Sequence, residues 1–238
     1  FISFRLPVYV YGLAVLAGVS TAFGTIKWGH AAKHQPMSSI QPLMNFYPLM
    51  VAFLAYMILG EAITSRQLMG MIVLLVGTYV LEVHTGEKDM LGPVKHLIQN
   101  PYQMTAVFSL VFFAFTATTG RYVTSVGATA LEFTAISWAT ACTIILVYHF
   151  MLYRWENLAS YGKKYAGYIA LPALLIIIAE ALFYQAVSLM YVGVVAALMR
   201  VTNIIATLEG GKIRHETHLL QKGIACIIMA SGGALIVL

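Results

Sequence analysis

The chain has 238 residues, 60% of them apolar and only 10% charged, whereas a soluble domain is about 25% charged. Its mean hydropathy of +0.82 excludes a soluble globule, a nucleic-acid binder and a disordered chain. The 14 basic residues against 9 acidic ones therefore bear on orientation in a membrane rather than on a phosphate-binding patch.

A bilayer core about 30 Å thick is crossed by roughly 20 apolar residues of helix. Eight stretches approach that length, at about 6–26, 37–59, 66–85, 103–120, 127–151, 165–189, 192–212 and 219–238. The first lacks a small-x-small cleavage site and is too long for a signal-peptide core, so it reads as a true span. Its Ala14, Gly18, Ser20 and Gly24 form two small-xxx-small pairs that predict close approach of a neighbouring helix. In the second span Pro42 and Pro48 each remove a backbone donor, predicting a broken helix that faces protein or water, or else a simple kink. Between the third and fourth spans, Met90, Leu91, Val94, Leu97 and Ile98 recur at helical spacing with Lys88 and Lys95 among them. That pattern predicts a short helix on the membrane surface, with a plain polar loop as the alternative.

Basic residues sort unevenly between the two ends of these spans. Lys33, Lys88, Lys95, Arg154, Lys163, Lys164, Lys212, Arg214 and Lys222 fall on one side, and Arg5, Arg66 and Arg121 on the other. The bias places the first group in the cytoplasm or its equivalent, with both chain ends facing away from it. Cys142 and Cys226 both lie in apolar runs, which leaves no disulfide framework and no cysteine-based metal site.

The stretch from Ala31 to Leu81 contains Pro48, a Gly60-Glu61 pair, Gln67-x-x-Gly70 and the Gly77 that closes an apolar helix. It resembles the fourth and fifth helices of the EamA-type repeat of the drug/metabolite transporter superfamily. Ala186 to Leu238 resembles the same unit of a second repeat, with Glu216 and Gly232 each 155 residues beyond Glu61 and Gly77. The resemblance implies an all-helical integral membrane bundle of two inverted five-helix repeats. Residues 1–85 would be the last three helices of the first repeat, 86–101 a connection and 102–238 the second repeat. The eight visible spans would then be helices three to ten, with two more upstream of Phe1. Members of that superfamily usually have both termini in the cytoplasm, which opposes the charge bias and leaves orientation open.

Ionisable residues within a span are costly, at about 2.5–3.5 kcal/mol on insertion scales, and so need a partner or a role. Lys27 and Glu209 lie near span ends and can snorkel. Glu132 sits about five residues inside its span. Glu180 and Arg200 lie 11 and nine residues from a turn at Tyr191, so their depths differ by roughly 3 Å and they are expected to pair near the midplane. That pair could be structural, or a substrate or coupling site. Arg200, Asn203 and Thr207 form one polar stripe, and Glu180, Tyr184 and Ser188 another. Asn45, in register with Arg200 at the 155-residue offset, and Tyr47 add polar groups from the second span.

The expected function is a transporter that moves a small polar or amphipathic metabolite by alternating access. Arg200 would hold an anionic group, and Glu180 would neutralise it in the empty site or carry a coupling proton. Asn45, Tyr47, Tyr184 and Asn203 would supply hydrogen bonds, with Trp138 or Tyr191 as a stacking wall and Glu132 as a further candidate. No cofactor is expected. His215-Glu216-Thr217-His218 is one residue short of a zinc-protease helix, and His30 and His34 lack a third ligand, so no metal is expected either. No enzymatic constellation is present in the sequence. The partners expected are the substrate and the bilayer, not nucleic acid, with a homodimer or larger complex left open. The rival readings are a non-transporting subunit of a membrane assembly and a flippase for a lipid-linked head group.

Overall fold

A computed structural model describes residues 6–35, 41–82, 100–152, 155–199 and 219–237. Among these residues all regular structure is helical. The helices are α1 (Val8–His34), α2 (Tyr47–Leu59), α3 (Ser65–Glu82), α4 (Pro101–Ser125), α5 (Ala130–Leu152), α6 (Trp155–Leu189), α7 (Val192–Leu198) and α8 (Leu219–Val237), with a tight 3-10 turn over Gln41–Phe46. Among the described residues, four segments are long and apolar enough to cross a membrane: Val8–His34, Pro101–Ser125, Ala130–Leu152 and Ala170–Leu189. Tyr47–Leu59 and Ser65–Gly77 are shorter apolar helices.

Small residues set the packing, as they must where lipid offers apolar side chains no reason to leave it. A Cβ on Gly18 would lie 2.6 Å from Thr140 Cβ, and one on Gly24 would lie 2.7 Å from the Phe113 ring. The two glycines of the first span thus seat α1 directly against α5 and α4. Leu6 lies beside Gly127, while His34 stacks on Tyr102 at 4.5 Å, so α1 and α4 run antiparallel. The central core joins Ala14 and Ala17 to Ala114, Ala117, Phe133 and Val187, with Val51 and Val192 beside them. Leu171, Leu174, Leu175 and Leu182 on α6 are more than half exposed, as suits a lipid-facing surface.

Proline does break the second span. The chain runs through the 3-10 turn before α2 begins, with Pro48 in the first helical turn, where a missing N–H is harmless. The fourth span is longer than the apolar run alone suggests. Asn100 Oδ1 accepts the N–H groups of Tyr102 and Gln103 at 3.0 and 3.4 Å and starts α4 at Pro101. The other end of α4 continues past Gly120 because Arg121 finds partners there. The helix of the sixth span starts at Trp155, ten residues before the apolar stretch, and carries Pro172 inside it. The expected surface helix falls mainly at 83–99, outside the described residues, as do residues 200–212 of the expected seventh span.

Two helix starts are built alike. Thr64 Oγ1 accepts the N–H of Gln67 at 3.2 Å while Gln67 Oε1 accepts the N–H of Thr64 at 3.1 Å. At α5, Thr129 Oγ1 accepts from Glu132 N at 3.2 Å and Glu132 Oε2 accepts from Thr129 N at 3.0 Å. Both are capping boxes, each satisfying two N–H groups that the helix leaves without partners.

Candidate functional site

A cavity of about 340 Å³ lies among α1, α2, α4, α5 and α6, within the size range of small-molecule sites. Its walls are strongly aromatic: Trp28 from α1, Tyr47 from α2, Phe113 from α4, Trp138 from α5, and Phe183 and Tyr184 from α6. Met44 and Met199 add flexible apolar surface. Tyr184 is locked in place by an edge-on contact with Phe133 at 4.6 Å, and a Cβ on Gly120 would run into its ring. Glycine at 120 is therefore what allows Tyr184 to reach its position.

Hydroxyls complete the lining, and most have their proton committed. Thr21 Oγ1 donates to Ala17 O at 3.0 Å, Thr116 Oγ1 to Ala17 O and Phe112 O at 3.1 Å each, and Ser137 Oγ to Phe133 O at 2.8 Å. A hydroxyl that donates to helix backbone keeps its lone pairs for other partners. Glu180 is the one charged residue among the described lining residues.

A second cluster of polar contacts joins the ends of several helices, and its residues come from four elements. Gly60 ends α2 in the left-handed region at φ +68°, a conformation that glycine adopts without penalty. Its N–H bonds Tyr56 O and that of Glu61 bonds Ala55 O, which turns Glu61 back over the helix end. Glu61 Oε1 accepts Arg121 Nε at 2.6 Å, and Glu61 Oε2 accepts Val192 N at 3.2 Å. Arg121 Nη1 donates to the carbonyls of Val187 and Ser188 at 2.7 and 3.1 Å. These are last-turn carbonyls of α6 that the helix leaves without partners, and a cation there also suits the helix dipole. The two side chains are only 19% and 10% exposed.

Of the residues expected from sequence to bind substrate, the structure brings Glu180, Tyr47, Tyr184 and Trp138 to one cavity. Glu132 is placed elsewhere: it is the capping-box partner of Thr129 and does not line the cavity. Arg200 and Asn203, and the side chain of Asn45, lie outside the described residues. Tyr191, the alternative stacking wall, precedes the first residue of α7 and is 42% exposed. Sequence reasoning missed Trp28, Phe113, Phe183, Met44 and Met199 as lining residues. It also placed Arg121 among loop charges, where the structure shows a partly buried ion pair. No cluster of three or more metal-ligating side chains occurs among the described residues.

Several apolar helices threaded antiparallel through one bundle define a multi-pass, all-helical integral membrane protein. Residues 3–83 match the EamA-like transporter family, so the family resemblance holds over the stretch containing Gly60, Glu61, Gln67 and Gly77. One solved crystal structure superposes on all of this chain and 80% of its own with a TM-score of 0.71 at 18% sequence identity, a likeness that shows the fold alone. No curated protein matches the sequence.

Proposed function

We propose that the protein is a carrier that moves a small polar or amphipathic metabolite by alternating access through the aromatic cavity. On this reading the chain crosses the membrane eight times, and residues 1–85 and 102–238 belong to two inverted repeats. One observation carries it. The cavity residues Thr21 and Ile176, Thr25 and Glu180, Trp28 and Phe183, and Met44 and Met199 are four pairs each separated by 155 residues. That is the offset separating Glu61 from Glu216 and Gly77 from Gly232. A cavity lined by equivalent positions of two repeats lies on the axis relating them, where inverted-repeat transporters place their substrate.

The packing of α3 on α8 supports the same reading. Gly77 seats Met229, and Gly232 seats Leu74; Leu74 and Met229 are also 155 residues apart. Exchanging the two repeats turns one contact into the other. Because α3 and α8 run antiparallel, an axis that exchanges them lies in the membrane plane. Glu61 and Arg121 then close one end of the pathway. Thr116, on the cavity wall, is five residues before Arg121 on α4, about 7.5 Å along the helix.

Cysteine access tests the proposal. In a Cys142→Ser, Cys226→Ser background, Thr25→Cys and Ser137→Cys are labelled with a membrane-impermeant maleimide in sealed vesicles of both orientations. A carrier presents each cysteine to both sides in turn. Access from one side alone under every condition refutes alternating access through this cavity.

A further inference from the structure

Taking the cavity as the transport site, we infer that its substrate is an organic cation: an ammonium or guanidinium group carried on a flat or aromatic body. The sequence pointed toward an anion held by Arg200, but Arg200 is outside the described residues. The surfaces that can be described carry the opposite polarity.

Three independent features agree. Six of the described lining residues are aromatic, and the face of an aromatic ring carries negative quadrupolar charge that attracts cations, most strongly for tryptophan. The hydroxyls of Thr21, Thr116 and Ser137 all lie within hydrogen-bonding distance of backbone carbonyls, and those of Thr21 and Thr116 also bond each other at 3.1 Å, so toward a ligand they are acceptors more readily than donors. Glu180 adds a carboxyl group whose charged form a bound cation would favour, with no Lys, Arg or His among the described residues of the wall to compete for it. A carboxylate shielded from water is costly without a cation, and the ligand itself is the cation such a cavity calls for.

Position sharpens the assignment. Glu180 and Thr25 occupy equivalent places in the two halves, as do Phe183 and Trp28. One aromatic pair is thus duplicated across the cavity while the charge is not. A ligand with one charged end and a planar apolar body fits such a site: rings on either side take the body, and the Glu180 end takes the charge. An anion would face hydroxyl oxygens, aromatic rings and the Glu180 carboxyl group together. Its hydrogen-bond donors on the described wall would be the two indoles, the two phenols and the Thr25 hydroxyl.

The test uses three probes with one body: 3-phenylpropylamine, 3-phenylpropan-1-ol and 3-phenylpropanoate, which are cationic, neutral and anionic at pH 7. The chain has three tryptophans, so a Trp155→Phe background leaves Trp28 and Trp138, both on the cavity wall, as fluorescent reporters. The amine is expected to quench them with about tenfold tighter affinity than the alcohol, with the carboxylate weakest. Glu180→Gln should bring the amine down to the alcohol while leaving the alcohol unchanged. The ranking of probes in the parent background needs no further substitution, so a folding defect in Glu180→Gln does not remove the test. An alcohol or carboxylate that binds as tightly as the amine overturns the cation assignment and leaves the cavity a binding site. Amine binding that Glu180→Gln does not weaken also overturns it. Failure of all three probes to quench overturns both this inference and the cavity's role as the transport site.

Discussion

Replacing Arg121 with Met keeps the aliphatic stem and removes the guanidinium. The loss is one short ionic hydrogen bond to Glu61 and two to the α6 carbonyls. Breaking a fully buried pair costs about 3–5 kcal/mol because the remaining charge is stranded, whereas an exposed pair is worth about 0–1 kcal/mol. With side chains 19% and 10% exposed, this pair lies nearer the buried limit, and Arg121→Met is expected to cost about 2–4 kcal/mol. Glu61→Gln should cost less, about 1–2 kcal/mol, because its amide oxygen can still accept the Val192 N–H. The double variant, completing a thermodynamic cycle in detergent unfolding, should show a coupling of about 1–2 kcal/mol. The functional readout is separate. If the pair closes one end of the pathway, Arg121→Met should raise maleimide labelling of Thr25→Cys from that side. A coupling below about 0.3 kcal/mol, within the additivity error of independent sites, would refute the energetic argument; unchanged labelling would refute the closure.

Substitutions at four glycines test the packing, each read by thermal melting of the purified protein. Gly60→Ala meets no neighbour within 4 Å, so only its φ of +68° opposes it; the expected loss is about 1 kcal/mol, and Gly60→Asn should lose less. Gly120→Ala drives a methyl into the buried Tyr184 ring and within 2.8 Å of Phe133, for an expected loss of about 1–3 kcal/mol, and Tyr184→Ala should relieve the clash. Gly232→Ala should be the more damaging of the α3–α8 pair. Its methyl meets Gly70 O and Leu74 N, both at 2.8 Å and both backbone, whereas that of Gly77→Ala first meets the flexible Met229 side chain. Equal losses for these two would refute the asymmetry of that packing.

Four of the eight expected spans coincide with helices long and apolar enough to cross a membrane, and they were legible because about 20 consecutive apolar residues rarely occur in a chain that stays out of a bilayer; the small-residue face of α1 was legible because Gly18 and Gly24 leave room that a neighbour fills. The break in the second expected span was one of the two readings that Pro42 and Pro48 left open, the other being a kink of the kind Pro172 makes possible inside α6. The cavity was legible only where it is polar. Glu180, Tyr47, Tyr184 and Trp138 stand out in an apolar chain, but Phe113 and Phe183 look like any lipid-facing or core side chain. A signal was available in the 155-residue offset, which pairs Trp28 with Phe183 and Met44 with Met199. Glu132 misled because it was weighed as a charge inside a span. The Thr129-x-x-Glu132 spacing is a capping box that can be read from sequence. Arg121 misled in the opposite way: a cation at a span end suggests solvent, and nothing local shows that Glu61, 60 residues earlier in the chain, waits to receive it.

That pairing gives the Gly-Glu motif a physical meaning beyond its spacing. Gly60 supplies the turn, and the turn aims Glu61 across the ends of three other helices, so that one carboxylate ties α2 to α4 and α7, and α6 through Arg121. Those same elements carry Tyr47, Phe113, Thr116, Phe183 and Tyr184 into the cavity, and Val187, whose carbonyl Arg121 holds, is only three residues beyond Tyr184. Helices move largely as rigid bodies, so a rearrangement at the ion pair must shift the aromatic wall. The reverse holds with equal strength, because coupling between two sites is a single free energy seen from either end. A ligand that draws Glu180 and the rings together therefore acts on the same helices that the Glu61–Arg121 pair ties, with no element intervening between the cavity and that contact.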